Sequence, residues 1–231
     1  SYTWDFGDGT NGTGASLSHT YADEGLYEVV LTLSDEDGGE TDVARSVTVA
    51  DIAPSIAAVD VSAGTEGTST GFRATVQQAA SDTITYTWNF GDGTPLVSGT
   101  DLESTAHSYA SEGEFVATLT VMDDDGSTDA LDVAVSIGNG PPVIVEFTAA
   151  DSDEGSEADL SAAATDPGSD PLTYSWDFGD GSDVVEGVDL IEPAHIYSDN
   201  GEYTVVLTVS DDAGASVNDT RQVTVRNVDP L

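Results

Sequence analysis

The chain has 231 residues and carries 44 Asp and Glu against four Arg and no Lys, a formal net charge of −40. Four scattered arginines cannot build the basic patch that nucleic acid or an anionic lipid surface requires. No apolar run reaches the roughly 18 residues of a membrane span, and without cysteine there is no disulfide framework, thiolate zinc site or cysteine nucleophile.

A folded chain at this charge repels itself and calls for counterions, high salt or bound cations. Disorder, the other outcome for an acidic chain, is opposed by the pattern. Taken in chain order, Tyr2–Thr10 reads YTWDFGDGT and places Trp4 in a strand that runs into a Gly-Asp-Gly turn. His19-x-Tyr21 follows, then a strand at Tyr27–Leu33, the acidic turn Asp35-Glu-Asp-Gly38 and a closing strand at Ser46–Val49. These strand segments are short, β-branched and close to alternating.

The same order returns twice. Tyr86–Thr94 (YTWNFGDGT) leads to His107-x-Tyr109, Phe115–Val121, Asp123-Asp-Asp-Gly126 and Val133–Ile137. Tyr174–Ser182 (YSWDFGDGS) leads to His195-x-Tyr197, Tyr203–Val209, Asp211-Asp-Ala-Gly214 and Gln222–Val225. Pro54, Pro142 and Pro230 recur every 88 residues and set the phase. The expected organisation is residues 1–50 as a repeat lacking its first two strands, 51–138 and 139–228 as whole repeats, and 229–231 as the start of a further one. That phase is what is expected of a window on a longer array. The first repeat is expected to have open sheet edges, completed by its own parent chain or by strand addition from a neighbouring copy.

Each whole repeat holds about seven strand signals, one strand tryptophan and no helical period, which is the pattern of a two-sheet antiparallel sandwich. The Tyr of His-x-Tyr stands where a tyrosine corner bonds back to the backbone. W-D/N-F-G-D-G, then H-x-Y, then G-x-Y/F-x-V-x-L-T-V-x-D resembles the PKD (polycystic kidney disease) domain family over essentially the whole chain. The resemblance implies all-β, tandem immunoglobulin-like β-sandwich domains arranged in a rod on a secreted or cell-surface protein. Its members serve mostly in adhesion, spacing or binding, and some bacterial ones, in collagenases and chitinases, bind calcium or help engage polymeric substrate.

Gly-Asp-Gly reads as a hairpin turn, with cation ligation as the alternative. Each histidine stands without a second His or a Cys, so a packed, hydrogen-bonded ring is expected. No G-x-S-x-G elbow and no phosphate loop is present, and the chain is not expected to be an enzyme.

The acidic loops are the candidate sites. In this topology the loop between the second and third strands, the turn between the last two strands and the start of the first strand meet at one pole. In the last repeat these supply Asn139, Asp166, Asp170, Asp211 and Asp212. In the middle repeat they supply Asp51, Asp82, Asp123 and Asp125, and in the first only Asp35 and Asp37. A hard cation with six to eight oxygen ligands relieves such crowding, and Ca2+ suits flexible carboxylate and carbonyl loops; the alternative is that these are solvated acidic turns of an acid-rich protein. The resemblance points the same way, since calcium-binding PKD modules use these loops and the linker. Gln78 in place of Asp166, and Ala213 in place of Asp37 and Asp125, make the sites unequal. Asn11-Gly-Thr13 and Asn218-Asp-Thr220 are glycosylation sequons in turn-like segments.

The leading functional expectation is a stalk, surface-layer or fibre element stiffened by calcium at its junctions. Its partners are neighbouring copies or other surface proteins. The alternative is a polysaccharide- or protein-binding accessory module of a secreted hydrolase. The excess of acid also resembles proteins of salt-loving microbes, whose repulsion molar salt screens.

Overall fold

The computed structural model describes residues 1–79, 82–168 and 170–229, and every regular element among them is a β-strand. The strands are β1 Tyr2–Asp5, β2 Asn11–Thr13, β3 Gly25–Ser34, β4 Glu40–Val49, β5 Ser55–Val61, β6 Gly64–Thr65, β7 Ser69–Gln77, β8 Thr85–Asn89, β9 Val97–Gly99 and β10 Ser104–Ser108. They continue as β11 Gly113–Met122, β12 Thr128–Gly138, β13 Val143–Ala149, β14 Ser152–Asp153, β15 Leu160–Thr165, β16 Thr173–Asp177, β17 Val185–Val188, β18 Gly201–Ser210 and β19 Ser216–Arg226. Pro230 and Leu231, expected to open a further repeat, lie outside the described residues.

The chain divides into two compact units. One comprises Ser1–Asp60, Arg73–Thr105 and Val116–Val133, the other Val61–Phe72, Ala106–Phe115 and Ala134–Leu231. In the first unit residues 1–50 form one antiparallel sheet in the order β2-β1-β3-β4. Trp4 pairs across from Leu31 and is only half-buried, and Tyr2, Val43 and Val47 are exposed. In the same unit, β8 pairs with β9 and β11, setting Trp88 opposite Val97 and Leu119. Trp88, Leu119 and Val121 have no exposed surface.

The second unit holds a sandwich of two sheets, β13-β15 and β14-β19-β18-β16-β17. Alternate residues of β18 (Val205, Leu207, Val209) point inward and meet Phe147, Leu160 and Ala162 of the two-stranded sheet, because side chains on a strand alternate faces. Trp176 is fully buried and meets Phe147 in an edge-to-face contact, the ring centroids 5.6 Å apart. Burying side chains of this size supplies roughly 2–3 kcal/mol each. The hairpin of β18 and β19 is ten residue pairs long, so the closing strand starts at Ser216, well before the expected Gln222. Its outer half alternates around polar residues and carries little apolar signal.

Each tryptophan donates its indole N–H to a carbonyl at 2.9 Å: Gly14, Leu102 and Leu190. The expected tyrosine corners are present, with Tyr21 and Tyr197 donating to the carbonyls of Phe6 and Phe178. No helix among the described residues is long and apolar enough to cross a membrane.

Candidate metal centre

In the Gly-Asp-Gly turns the aspartates are already engaged. Asp8 Oδ1 accepts from the amide and hydroxyl of Thr10, and Oδ2 lies 2.6 Å from His19 Nε2. The hydrogen bond from the Thr10 hydroxyl is the largest force holding the Asp8 carboxyl down at about 2. Asp180 repeats the arrangement with Ser182 and His195, whose ring stacks on Phe178 at 3.8 Å. These oxygens serve the turn, and the histidine is packed and bonded.

In the first unit, oxygens of Asp51, Asp82 and Asp123 lie within 4.8 Å of one another. Linker, loop and turn therefore converge. Asp123 is 2% exposed; Oδ1 accepts from the Ser127 amide, and Oδ2 is buried with no hydrogen-bond partner. Asp51 Oδ2 accepts from the Ser127 hydroxyl. Asp125 belongs to a second group with Asp23, Glu24 and Asp82, also within 4.8 Å. Its hydrogen bond to Glu24 is the main reason that the Glu24 carboxyl is pushed up to about 7. Asp124 ties the same turn to the loop by accepting from the Thr83 amide.

The second unit is built differently. Asn139 donates its side-chain amide to Asp211 Oδ2 at 2.9 Å, while Asp211 Oδ1 accepts from the Ala215 amide. Asp166 and Asp170 are grouped instead with Glu66. Each has one buried oxygen without a hydrogen-bond partner. Burial pushes the Asp170 carboxyl up to about 6, with Glu66, Asp212 and Asp166 adding repulsion. Asp35 accepts from the amides of Asp37 and Gly39 within its own turn. Neither Asp35 nor Asp37 joins a carboxylate group among the described residues.

Sequence reasoning missed Asp23, Glu24, Glu66 and Asp124. A signal for Glu66 existed: Glu66-Gly67 recurs 88 residues on as Glu154-Gly155. The sequons are corrected in one respect. Asn11 opens edge strand β2 and Asn218 lies within β19 opposite Thr208, so both exposed side chains stand on strands rather than turns.

The PKD domain family matches residues 1–50, 51–137 and 139–226. Among curated relatives, Collagenase ColA of Bacillus cereus is 47% identical over 49 residues, 21% of this chain and 5% of that protein. The Microbial collagenase of Vibrio alginolyticus is 32% identical over 90 residues, 38% of this chain and 11% of that protein. The chain thus spans only a small fraction of these relatives. Among solved structures, the PKD1 domain of Vibrio anguillarum Epp is 32% identical, covering 39% of this chain and 99% of that one with a TM-score of 0.32. The insect immune protein hemolin is 12% identical over 98% of this chain and 67% of that one, with a TM-score of 0.43. With the family matched along nearly its whole length, the chain belongs to the PKD domain family, as three tandem repeats.

Proposed function

We propose that this chain is a non-catalytic structural segment of a secreted or cell-surface protein, a stalk or spacer whose repeat junctions are fastened by divalent cations, calcium best. The observation that carries the reading is Asp123, a nearly fully buried carboxylate with one oxygen lacking any donor, grouped with Asp51 and Asp82. At separations of 4.8 Å or less, each charged pair repels by at least about 3.5 kcal/mol at an effective dielectric of about 20. A cation with flexible oxygen coordination offsets this and ties linker, loop and turn together. High salt screens the exposed acid but reaches buried groups far less. The test is a calcium titration in fixed high sodium chloride. Saturable binding that is lost in Asp123→Asn supports the reading, and no binding beyond that of sodium rejects it.

The collagenase relatives favour a second reading, an accessory module that engages a polymer for a hydrolase. The burial of Trp88 and Trp176 removes the obvious stacking groups from the surface. Retention on collagen, chitin or cellulose would favour this reading over the first.

A further inference from the structure

The acidic turn before the last strand of each repeat is closed in the same way. The backbone amides of Gly39, Ser127 and Ala215 donate to Oδ1 of Asp35, Asp123 and Asp211 at 2.7, 2.7 and 2.8 Å. The three positions are 88 residues apart. Glycine and alanine close the turn as well as serine does, so the turn itself needs no side chain there. Of the three, only Ser127 adds a side-chain donor. Its hydroxyl reaches 76 residues back along the chain and donates to Asp51 Oδ2.

That bond runs against the local electrostatics. Asp51 is exposed and stands in one group with the buried carboxylates of Asp82 and Asp123. Like charges this close repel, and a surface carboxylate left to itself turns outward into water, where its charge is screened. Ser127 opposes this by gripping two partners at once, Asp123 through its amide and Asp51 through its hydroxyl. Hydrogen bonds to a carboxylate are charge-assisted and belong to the stronger class. Each grip takes one oxygen and leaves the other. In Asp123 the oxygen left over, Oδ2, is buried with no hydrogen-bond partner.

The last repeat shows the arrangement without the hydroxyl. Ala215 stands where Ser127 does, and the linker residue is Asn139 in place of Asp51. Asn139 brings its own donor and bonds directly to Asp211 Oδ2 at 2.9 Å. A linker carboxylate thus goes with a serine on the turn, and a linker amide with an alanine. The amide engages the oxygen of Asp211 that corresponds to the unpartnered oxygen of Asp123.

We propose that Ser127 is a positioning residue: it holds Asp51 beside Asp123 before any cation arrives, and so sets the calcium affinity of this site. The assignment rests on the reading of the Asp51–Asp82–Asp123 group as a cation centre. Ligands held in place beforehand lower the ordering cost of binding. Residues that orient metal ligands from behind are typically worth about 10- to 100-fold in affinity.

The test is calcium binding to the full chain by calorimetry in fixed high sodium chloride, with the site identified as the component lost in Asp123→Asn. Ser127→Ala should weaken that component about 10- to 100-fold. Its unfolding midpoint in chelator should be unchanged or higher, because Asp51 is then free to move away from Asp123. Ser127→Thr keeps the hydroxyl and should bind as the wild type does. Unchanged affinity in Ser127→Ala overturns the assignment and leaves the cation reading standing. So does a lowered midpoint in chelator, or a loss in Ser127→Thr equal to that in Ser127→Ala. A wild-type chain without the component overturns both. In the last repeat, Asn139→Asp combined with Ala215→Ser should bind calcium more tightly than Asn139→Asp alone, and equal affinity there overturns the assignment as well.

Discussion

Asn139 donates its side-chain amide to Asp211 at 2.9 Å, so a neutral group in the last repeat takes the place that Asp51 holds in the middle one. The two junctions therefore manage their acid differently. One groups three carboxylates, and the other replaces one of them with a hydrogen-bond donor.

Asn139→Asp should convert the second junction to the type of the first. In chelator the new charge beside Asp211 loses the hydrogen bond and adds repulsion, a cost of about 1–3 kcal/mol. With millimolar calcium the loss should shrink or reverse. Thermal unfolding with and without calcium checks this, and an equal loss in both conditions contradicts it.

Glu66 holds two backbone amides from a fully buried position. Glu66→Ala leaves both N–H groups unsatisfied and should cost about 2–4 kcal/mol. Glu66→Gln retains an acceptor without the charge and should cost clearly less. Denaturant unfolding of the two variants checks the order.

The Gly-Asp-Gly turn separates two roles of glycine. Gly179 and Gly181 both have positive φ, 78° and 80°, but only at Gly179 would a Cβ meet backbone, that of Thr204. Gly181→Ala should cost about 1 kcal/mol for the left-handed backbone alone. Gly179→Ala should cost at least about twice that. Equal losses would show that the close approach to Thr204 carries no weight.

Much of this architecture was legible in the sequence, because strand tryptophans, corner tyrosines and Gly-Asp-Gly turns use local rules that repeat with the phase. The convergence of Asp51, Asp82 and Asp123 was legible too, as a consequence of sandwich topology. Glu66 was not. Its role comes from a parallel bridge between β6 and the end of β12, two residues long and too short to show an apolar alternation. The long outer halves of β4 and β19 were hidden for a related reason: their residues are mostly exposed and polar, with only Val43, Ala44 and Val217 apolar, too few to show an alternation.

Stability in chelator should peak in mild acid. Burial raises Asp170 to about 6, above the roughly 3.9 of an unfolded aspartate. Glu24, raised to about 7 chiefly by its hydrogen bond with Asp125, acts in the same direction, so folding takes up protons and stability rises as pH falls from about 7 to about 4. Asp8 is held at about 2 by Thr10, and Asp180 is lowered by its bonds to Ser182 and the nearby His195 against the opposing pull of burial. Their contribution is present above about 4 and is lost as pH falls further. Calcium should abolish the gain between pH 7 and 4 by competing with the protons. Unfolding midpoints across pH 2–7, with calcium and with chelator, check both limbs.

The central claim rests on Asp123, and one comparison tests it most directly. The thermal midpoint of the wild-type chain and of Asp123→Asn is measured at fixed high sodium chloride, with millimolar calcium and with chelator. Preferential binding to the folded state must raise the wild-type midpoint in calcium. The account predicts that rise, and its loss in Asp123→Asn. A wild-type midpoint that follows total salt alone, with no calcium-specific shift, would contradict it.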